Sequence, residues 1–160
     1  MSFNELMSAF CAKFGLGGAN TDPDGTVTLS ADGVVMNFSY DRESDVVTSA
    51  AELGEPPAVG AELFFRQMLA ANFPGQGLSG TTLALDDDSG RLCVLRRDPL
   101  EWLDLPRFVA AVDGLANDAI AWARLLEDYR PLGQTLSAAE TADGVSPGAA
   151  GECATDFIRV

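Results

Sequence analysis

The order of hydrophobic periods along the chain predicts an α+β fold, α-β-β-β-α-β-β-α, in which a twisted antiparallel sheet is packed with helices. Three observations carry that expectation. Three segments place apolar residues at helical spacing, five short runs have the alternation or length of strands, and consecutive strands are joined by tight turns, which favour antiparallel neighbours. The folded part is expected over residues 1–130. Beyond Pro131 the composition shifts to Ala, Gly, Ser and Thr with no period, so 131–160 is expected to be a disordered tail, with Phe157, Ile158 and Val160 able to dock.

In the first segment Phe3, Leu6, Met7, Phe10, Cys11 and Phe14 recur at helical spacing. Ser2 and Glu5 form a capping-box pattern and Gly15 supplies the stop. Asn20 to Gly25 is turn chemistry. Val27 and Leu29 then alternate with Thr26, Thr28 and Ser30 as a half-buried strand does, and Asp32-Gly33 makes a tight turn. In the next strand Val34, Met36, Phe38 and Tyr40 share one face, and Val35, Asn37 and Ser39 the other. After Asp41 to Asp45, a third strand runs to Leu53, with Val47, Ser49 and Ala51 opposed to Val46, Thr48 and Ala50.

GEPPAVG, residues 54–60, is a rigid connector into a central helix, ELFFRQMLAANF. There Phe65, Met68, Leu69 and Asn72 fall at i, i+3, i+4 and i+7, with Phe64 beside Met68; Pro74 and Gly75 stop the helix. TTLALD and RLCVLRR each have strand length around the turn residues Asp88, Ser89 and Gly90. Leu83 and Leu85 share a face of the first. In the second, Leu92, Val94 and Arg96 compete with Cys93 and Leu95 for the core, and the pattern leaves that register open. The last helix begins near Leu105, with a stripe of Phe108, Val112, Leu115, Ala119, Trp122 and Leu126 flanked by Val109, Ala116, Ile120 and Ala123. Arg130 and Pro131 end it.

Composition excludes several function classes. A formal charge of −14 lacks the clustered Lys and Arg that phosphate binding needs, so no nucleic-acid partner is expected; a basic or amphipathic polypeptide suits the surface. The absence of histidine removes the usual general base and the commonest transition-metal ligand. Cys11, Cys93 and Cys153 are odd in number, widely spaced and without CxxC, and read as reduced thiols of a cytoplasmic protein. No run reaches membrane-spanning length, and the N-terminus lacks signal-peptide character, so neither membrane insertion nor export is expected.

Candidate sites weaken on inspection. Gly75, Gly77 and Gly80 spell GxGxxG, but a helix enters and a strand leaves, so the glycines face the negative end of a helix dipole; no cofactor is expected. Asp86, Asp87 and Asp88 do not complete a calcium loop, because Arg97 stands at the twelfth position, and Asp22 with Asp24 and Gly25 reads as a solvated turn; no metal is expected. Gly77-Leu78-Ser79-Gly80 is one residue short of a nucleophile elbow. With no catalytic residues in view the chain reads as a binding protein and not an enzyme. A small metal-assisted enzyme built on Asp86 to Asp88 is the weaker alternative. Arg96 and Arg97, beside Asp98, read as a salt-bridged strand end.

Several stretches resemble the class I chaperones of bacterial type III secretion, the Tir chaperone (CesT-like) family. LFFRQMLAANF, the glycine link and TTLALDDDSGRLCVLRRDPLEWLDL look like that family's second helix, loop and hairpin. FVAAVDGLANDAIAWARLL looks like its last helix, and SFNELMSAFCAKFGL like its opening one, over about residues 1–130. The resemblance implies a cytoplasmic homodimer that holds the non-globular N-terminal segment of a secreted effector in extended form and keeps it competent for export without ATP. It places Phe64, Phe65, Met68, Leu69 and the strand Thr82, Leu83, Ala84 and Leu85 at the dimer interface. It also implies effector contacts in apolar grooves and along a strand edge, for which Phe10, Phe14, Val27, Leu29, Val35 and Met36 are the candidates. A regulator or binding module of the same fold, with a client other than an effector, is the alternative.

Overall fold

A computed structural model describes residues 1–16, 20–21, 25–31, 33–75 and 78–130, and the account that follows concerns these residues. The expectation for 131–160, and with it Cys153 and any docking of Phe157, Ile158 and Val160, lies outside them, as do Asp22, Asp24 and Gly77.

The element order is α1 (Phe3–Phe14), β1 (Asn20–Thr21), β2 (Val27–Ala31), β3 (Val34–Asp41), β4 (Val46–Gly54), α2 (Ala61–Ala71), β5 (Thr82–Asp86), β6 (Arg91–Pro99), a 3-10 turn (Leu100–Trp102) and α3 (Leu105–Glu127). This is the expected α-β-β-β-α-β-β-α fold with one addition. Asn20 and Thr21, read as turn, pair with Thr28 and Val27 as a two-residue strand at the sheet edge. All pairings are antiparallel, and the strand order is β1-β2-β3-β4-β6-β5. Strand β6 therefore inserts between β4 and β5, and the chain reaches the far edge through α2 before turning back.

Local chemistry accounts for the ends of the elements. The Ser2 N–H donates to Glu5 Oε2 at 2.8 Å and the Glu5 N–H to Ser2 Oγ at 3.3 Å, a complete capping box, and Gly15 closes α1 in the left-handed conformation. Asp104 caps α3 by accepting from the Arg107 N–H at 2.8 Å, with Pro106 in the first turn. In the β3–β4 turn Asp41 accepts from Ser44 Oγ and the Glu43 N–H, and Asp45 takes a positive φ of 56° while accepting from the Tyr40 hydroxyl at 2.7 Å. At the end of β4 the pairing slips between Glu52 and Gly54. Gly54 takes φ 135°, and a Cβ there would meet a Leu126 methyl at 3.4 Å, so bulge and close approach coincide.

One face of the sheet carries the core. Val27, Leu29, Met36, Phe38, Val47, Ala51, Leu83, Leu92 and Val94 are buried on it, beneath Phe108, Val112, Leu115 and Ala119 of α3 and Leu6, Met7 and Phe10 of α1. The Phe108 ring meets those of Phe10 and Phe38 edge-on at 5.2 and 5.6 Å, and Phe64 of α2 meets Trp122 and Tyr129 the same way at 6.0 and 5.0 Å. The open register of β6 resolves in favour of Leu92 and Val94, both fully buried. Arg96, on the same side, stays half-buried because Asp98 takes its guanidinium in two hydrogen bonds.

Two polar ties hold the α2–β5 connection. At the end of α2 the Asn72 amide accepts from the Leu83 N–H at 2.8 Å and donates to the Leu83 carbonyl at 3.0 Å, doing for β5 what a neighbouring strand would. From α3 the buried Asp118 accepts from the Ser79 N–H at 2.8 Å and the Thr81 hydroxyl at 2.6 Å. One turn earlier Gly114 lets Ser79 approach, since a Cβ there would sit 3.3 Å from that of Ser79.

Asp118→Ala leaves the Thr81 hydroxyl and the Ser79 N–H without their acceptor and is expected to cost about 1–3 kcal/mol in urea unfolding. An unchanged midpoint would show that the tie is not needed. The Glu5 carboxyl is held below its ordinary value of 4.5, first by the Ser2 N–H and then by the Ser2 hydroxyl. A depressed carboxyl contributes stability that is present above pH 4.5 and lost as the pH falls through the folded value. Glu5→Gln keeps an acceptor but cannot titrate, so thermal melts from pH 6 to about 3 should fall less steeply than for the unaltered protein.

Candidate functional site: an apolar groove between the first and last helices

The β2–β3 pairing sets Leu29 directly opposite Met36, and both point to the helical face of the sheet. Above them α1 ends. Phe10 is buried, its ring 4.9 Å from that of Phe14, and Phe14 lies half in solvent because Gly15 turns the chain back and sends Leu16 along the same wall. Residues 112, 113, 116, 117 and 120 of α3 form the opposite wall, where Ala116 is too small to fill the space beside Val112 and Ile120. The result is an open groove of about 450 Å³, apolar on its floor and walls, with Asp113 and Asn117 at its rim. What the described residues that line it can do is bury apolar side chains.

Of the six residues expected to contact an effector, four, Phe10, Phe14, Leu29 and Met36, line this groove together. Val27 shares the face of Leu29 and is as buried, but it lies opposite Phe38 and does not line the groove. Val35 is half exposed on the other face of the sheet, as strand alternation requires. Sequence reasoning missed Leu16 and the α3 wall. Ala116 and Ile120 were legible as the flank of the α3 stripe, and that flank is what a groove beside a packed helix is made from.

The residues expected at a dimer interface divide by burial. Phe64, Met68 and Leu83 lie within the core of this chain at 1%, 4% and 4% exposure; Phe65 and Ala84 are half-buried; Leu69, Thr82 and Leu85 are exposed. Leu63 and Phe73 are exposed beside them on and just after α2, and β5 has β6 on one side only, at the end of the strand order.

The face of the sheet away from the helices is lined by small and polar side chains. Asn37, Ala50, Ala84, Cys93 and Leu95 surround a shallow depression of about 340 Å³ there. Burial pushes the Cys93 thiol up, helped by Asp86 and Glu52, so it stays protonated and its Sγ lies 3.6 Å from the Ala84 carbonyl. Asp86 serves the β5–β6 turn, accepting from the Ser89 hydroxyl at 2.6 Å and the Asp88 N–H at 3.2 Å, and these bonds hold its carboxyl below the usual range. No group of three or more His, Cys, Asp or Glu among the described residues is placed to hold a metal ion, and no described helix is long and apolar enough to cross a membrane.

The model of the Tir chaperone protein (CesT) family matches residues 5–123, which span most of both helices of the groove and the whole sheet. The chain belongs to the Tir chaperone family. Solved structures agree on the fold of this family member. A chain of the ExsC–ExsE complex matches at a TM-score of 0.66 and 23% identity, covering 77% of this chain and 92% of that one. A chain of the HopA1–SchA chaperone–effector complex matches at 0.64 and 19%, covering 76% and 93%. A chain of the heterodimeric ExoU–SpcU complex of the type III secretion system of Pseudomonas aeruginosa matches at 0.62 and 24%, covering 76% and 98%. Comparison with curated proteins yields no match.

A charge on the α3 wall should close the groove to apolar ligands without disturbing the core. Ile120→Glu is therefore expected to lower the fluorescence of a bound apolar dye such as anilinonaphthalene sulfonate several-fold while leaving the melting temperature within a few degrees. Unchanged dye binding would place the accessible apolar surface elsewhere.

Proposed function

We propose that this Tir chaperone acts in the cytoplasm as a type III secretion chaperone: as a homodimer it binds the non-globular N-terminal segment of a secreted effector and keeps it soluble and competent for export without ATP. The observation that carries the reading is the groove. A family member with four nominated contact residues converging on one open apolar channel has a place to hold side chains of a chain that is not folded. The mechanism is binding alone: apolar side chains of the client leave water at about 25 cal/mol for each Å² buried, while the client's backbone stays extended. Strand edges offer main-chain partners to such a segment.

Dimerisation is supported by the surface that α2 and β5 leave open. Leu69 and Phe73 are 73% and 67% exposed, and with Leu63 and Leu85 they form an apolar margin, beside an edge of β5 that is tied only at Leu83 by Asn72, of the kind that a second copy covers. A two-fold arrangement would bring Leu69, Thr82 and Leu85 to the contact, with Phe64, Met68 and Leu83 supporting it from within.

Affinity purification of the tagged protein from its own cells, with mass spectrometry and light scattering, tests the whole reading. One secreted protein held through its N-terminal region by two copies of this chain is expected. A monomer that retains nothing would overturn it. Replacing Leu69 and Phe73 together by Glu should shift the mass from dimer to monomer while the melt of the monomer stays cooperative; a dimer that persists would move the interface away from α2.

A further inference from the structure

The groove has a charged rim as well as an apolar floor. Of the ten described residues that line it Asp113 alone is charged, and it lies exposed on α3 directly after the buried Val112. Asp113 forms no ion pair or hydrogen bond with any described residue, and Asn117, one turn later on the same face, forms no side-chain hydrogen bond with any of them. Lys13, on the α1 side, stands over the Phe14 ring at 5.9 Å and is not paired with Asp113. The carboxylate is thus left beside an apolar channel in a chain of net charge −14, where the surrounding field also favours a cation.

We infer that the groove selects for charge as well as apolarity: its occupant is a polypeptide segment in which the apolar side chain seated between Phe14, Met36 and Ile120 is flanked by a Lys or Arg that pairs with Asp113, while Asn117 meets the adjoining main chain. The inference rests on the proposed client binding and adds the chemistry of the segment. Asp113 is a specificity-determining residue. The apolar contacts supply affinity, and the ion pair at the rim discriminates among apolar segments that would otherwise bind alike.

The test uses the full chain and two labelled synthetic peptides that share one set of apolar residues, with the positions flanking the central Leu occupied by Lys in one and by Glu in the other, followed by fluorescence anisotropy. The unaltered protein is expected to bind the Lys peptide about two- to fivefold more tightly than a neutral Gln version, as a rim ion pair allows, and to bind the Glu peptide more weakly still, with the spread narrowing as salt is raised. Asp113→Asn should erase the preference while retaining affinity for the Gln peptide, Asp113→Lys should invert it, and Ile120→Glu should abolish binding of all three. A preference that survives Asp113→Asn overturns the inference and leaves client binding standing. Binding that survives Ile120→Glu, or no binding to the folded protein by any of the three, overturns the groove reading beneath it.

Discussion

The contact on which the rest of the fold depends is that between α3 and the inner face of the sheet. A sheet of this size buries one face and needs a cover. The four residues of α3 that supply it, Phe108, Val112, Leu115 and Ala119, lie over Phe38, Val47, Ala51, Leu92 and Val94 at the centre of the strand order. Because β6 is inserted between β4 and β5, the helix that follows β6 runs back across the middle of the sheet, and the capped start at Asp104 aims it there. The other two helices take what α3 leaves.

The groove follows from that allotment. Helix α1 packs beside α3 through Phe10 and Phe108 but ends at Gly15, and the small Ala116 faces the space beyond its last turn. The β2–β3 hairpin continues underneath, so Leu29 and Met36, themselves largely buried, form the floor of the channel between the two helices. An apolar channel at the edge of a core is a cost to the chain on its own, since the half-exposed ring of Phe14 leaves in water apolar surface that burial would turn to stability. That cost is intelligible under the proposed role of holding another chain, and the acidic charge on the molecule opposes the non-specific aggregation that such surfaces invite.

The α2–β5 region shows the same economy by other means. Helix α2 commits Phe64 and Met68 to the core and leaves Leu69 outside, so its apolar stripe is wider than the core of this chain uses. Its position against the sheet depends less on that stripe than on Asn72, Asp118 and Gly114, which tie the connection to β5 and α3 by hydrogen bonds and close approach. Polar ties of this kind set a register and an angle that apolar contact leaves free, because they are directional and expensive to break when buried.

The elements themselves were legible in the chain. The capping box at Ser2 and Glu5, the Gly15 stop, the alternation of Val34 to Tyr40 and the stripe of α3 are local signals, each decided by backbone geometry and side-chain period over a few residues, and the structure reproduces them. Four of the groove residues were legible for the same reason, as apolar positions on faces that a single period identifies. The β6 register was not, because Leu92, Val94 and Arg96 and the set Cys93 and Leu95 are both apolar enough to be buried; only Asp98, by neutralising Arg96 at the core margin, made the first choice affordable. The two-residue β1 was hidden because Asn20 and Thr21 have no pattern of their own and become a strand only by pairing with Thr28 and Val27. Val27 and Val35 looked alike in sequence to the groove residues and were separated from them by position along β2 and by face of the sheet. Asp118 carried no motif; its role exists because α3 lies against a loop almost forty residues earlier. By itself the sequence determined which segments are helices and strands and which faces are apolar, since those are short-range properties. Only the tertiary structure decided which apolar faces are spent in the core and which are left open, because that depends on how far each helix reaches across the sheet.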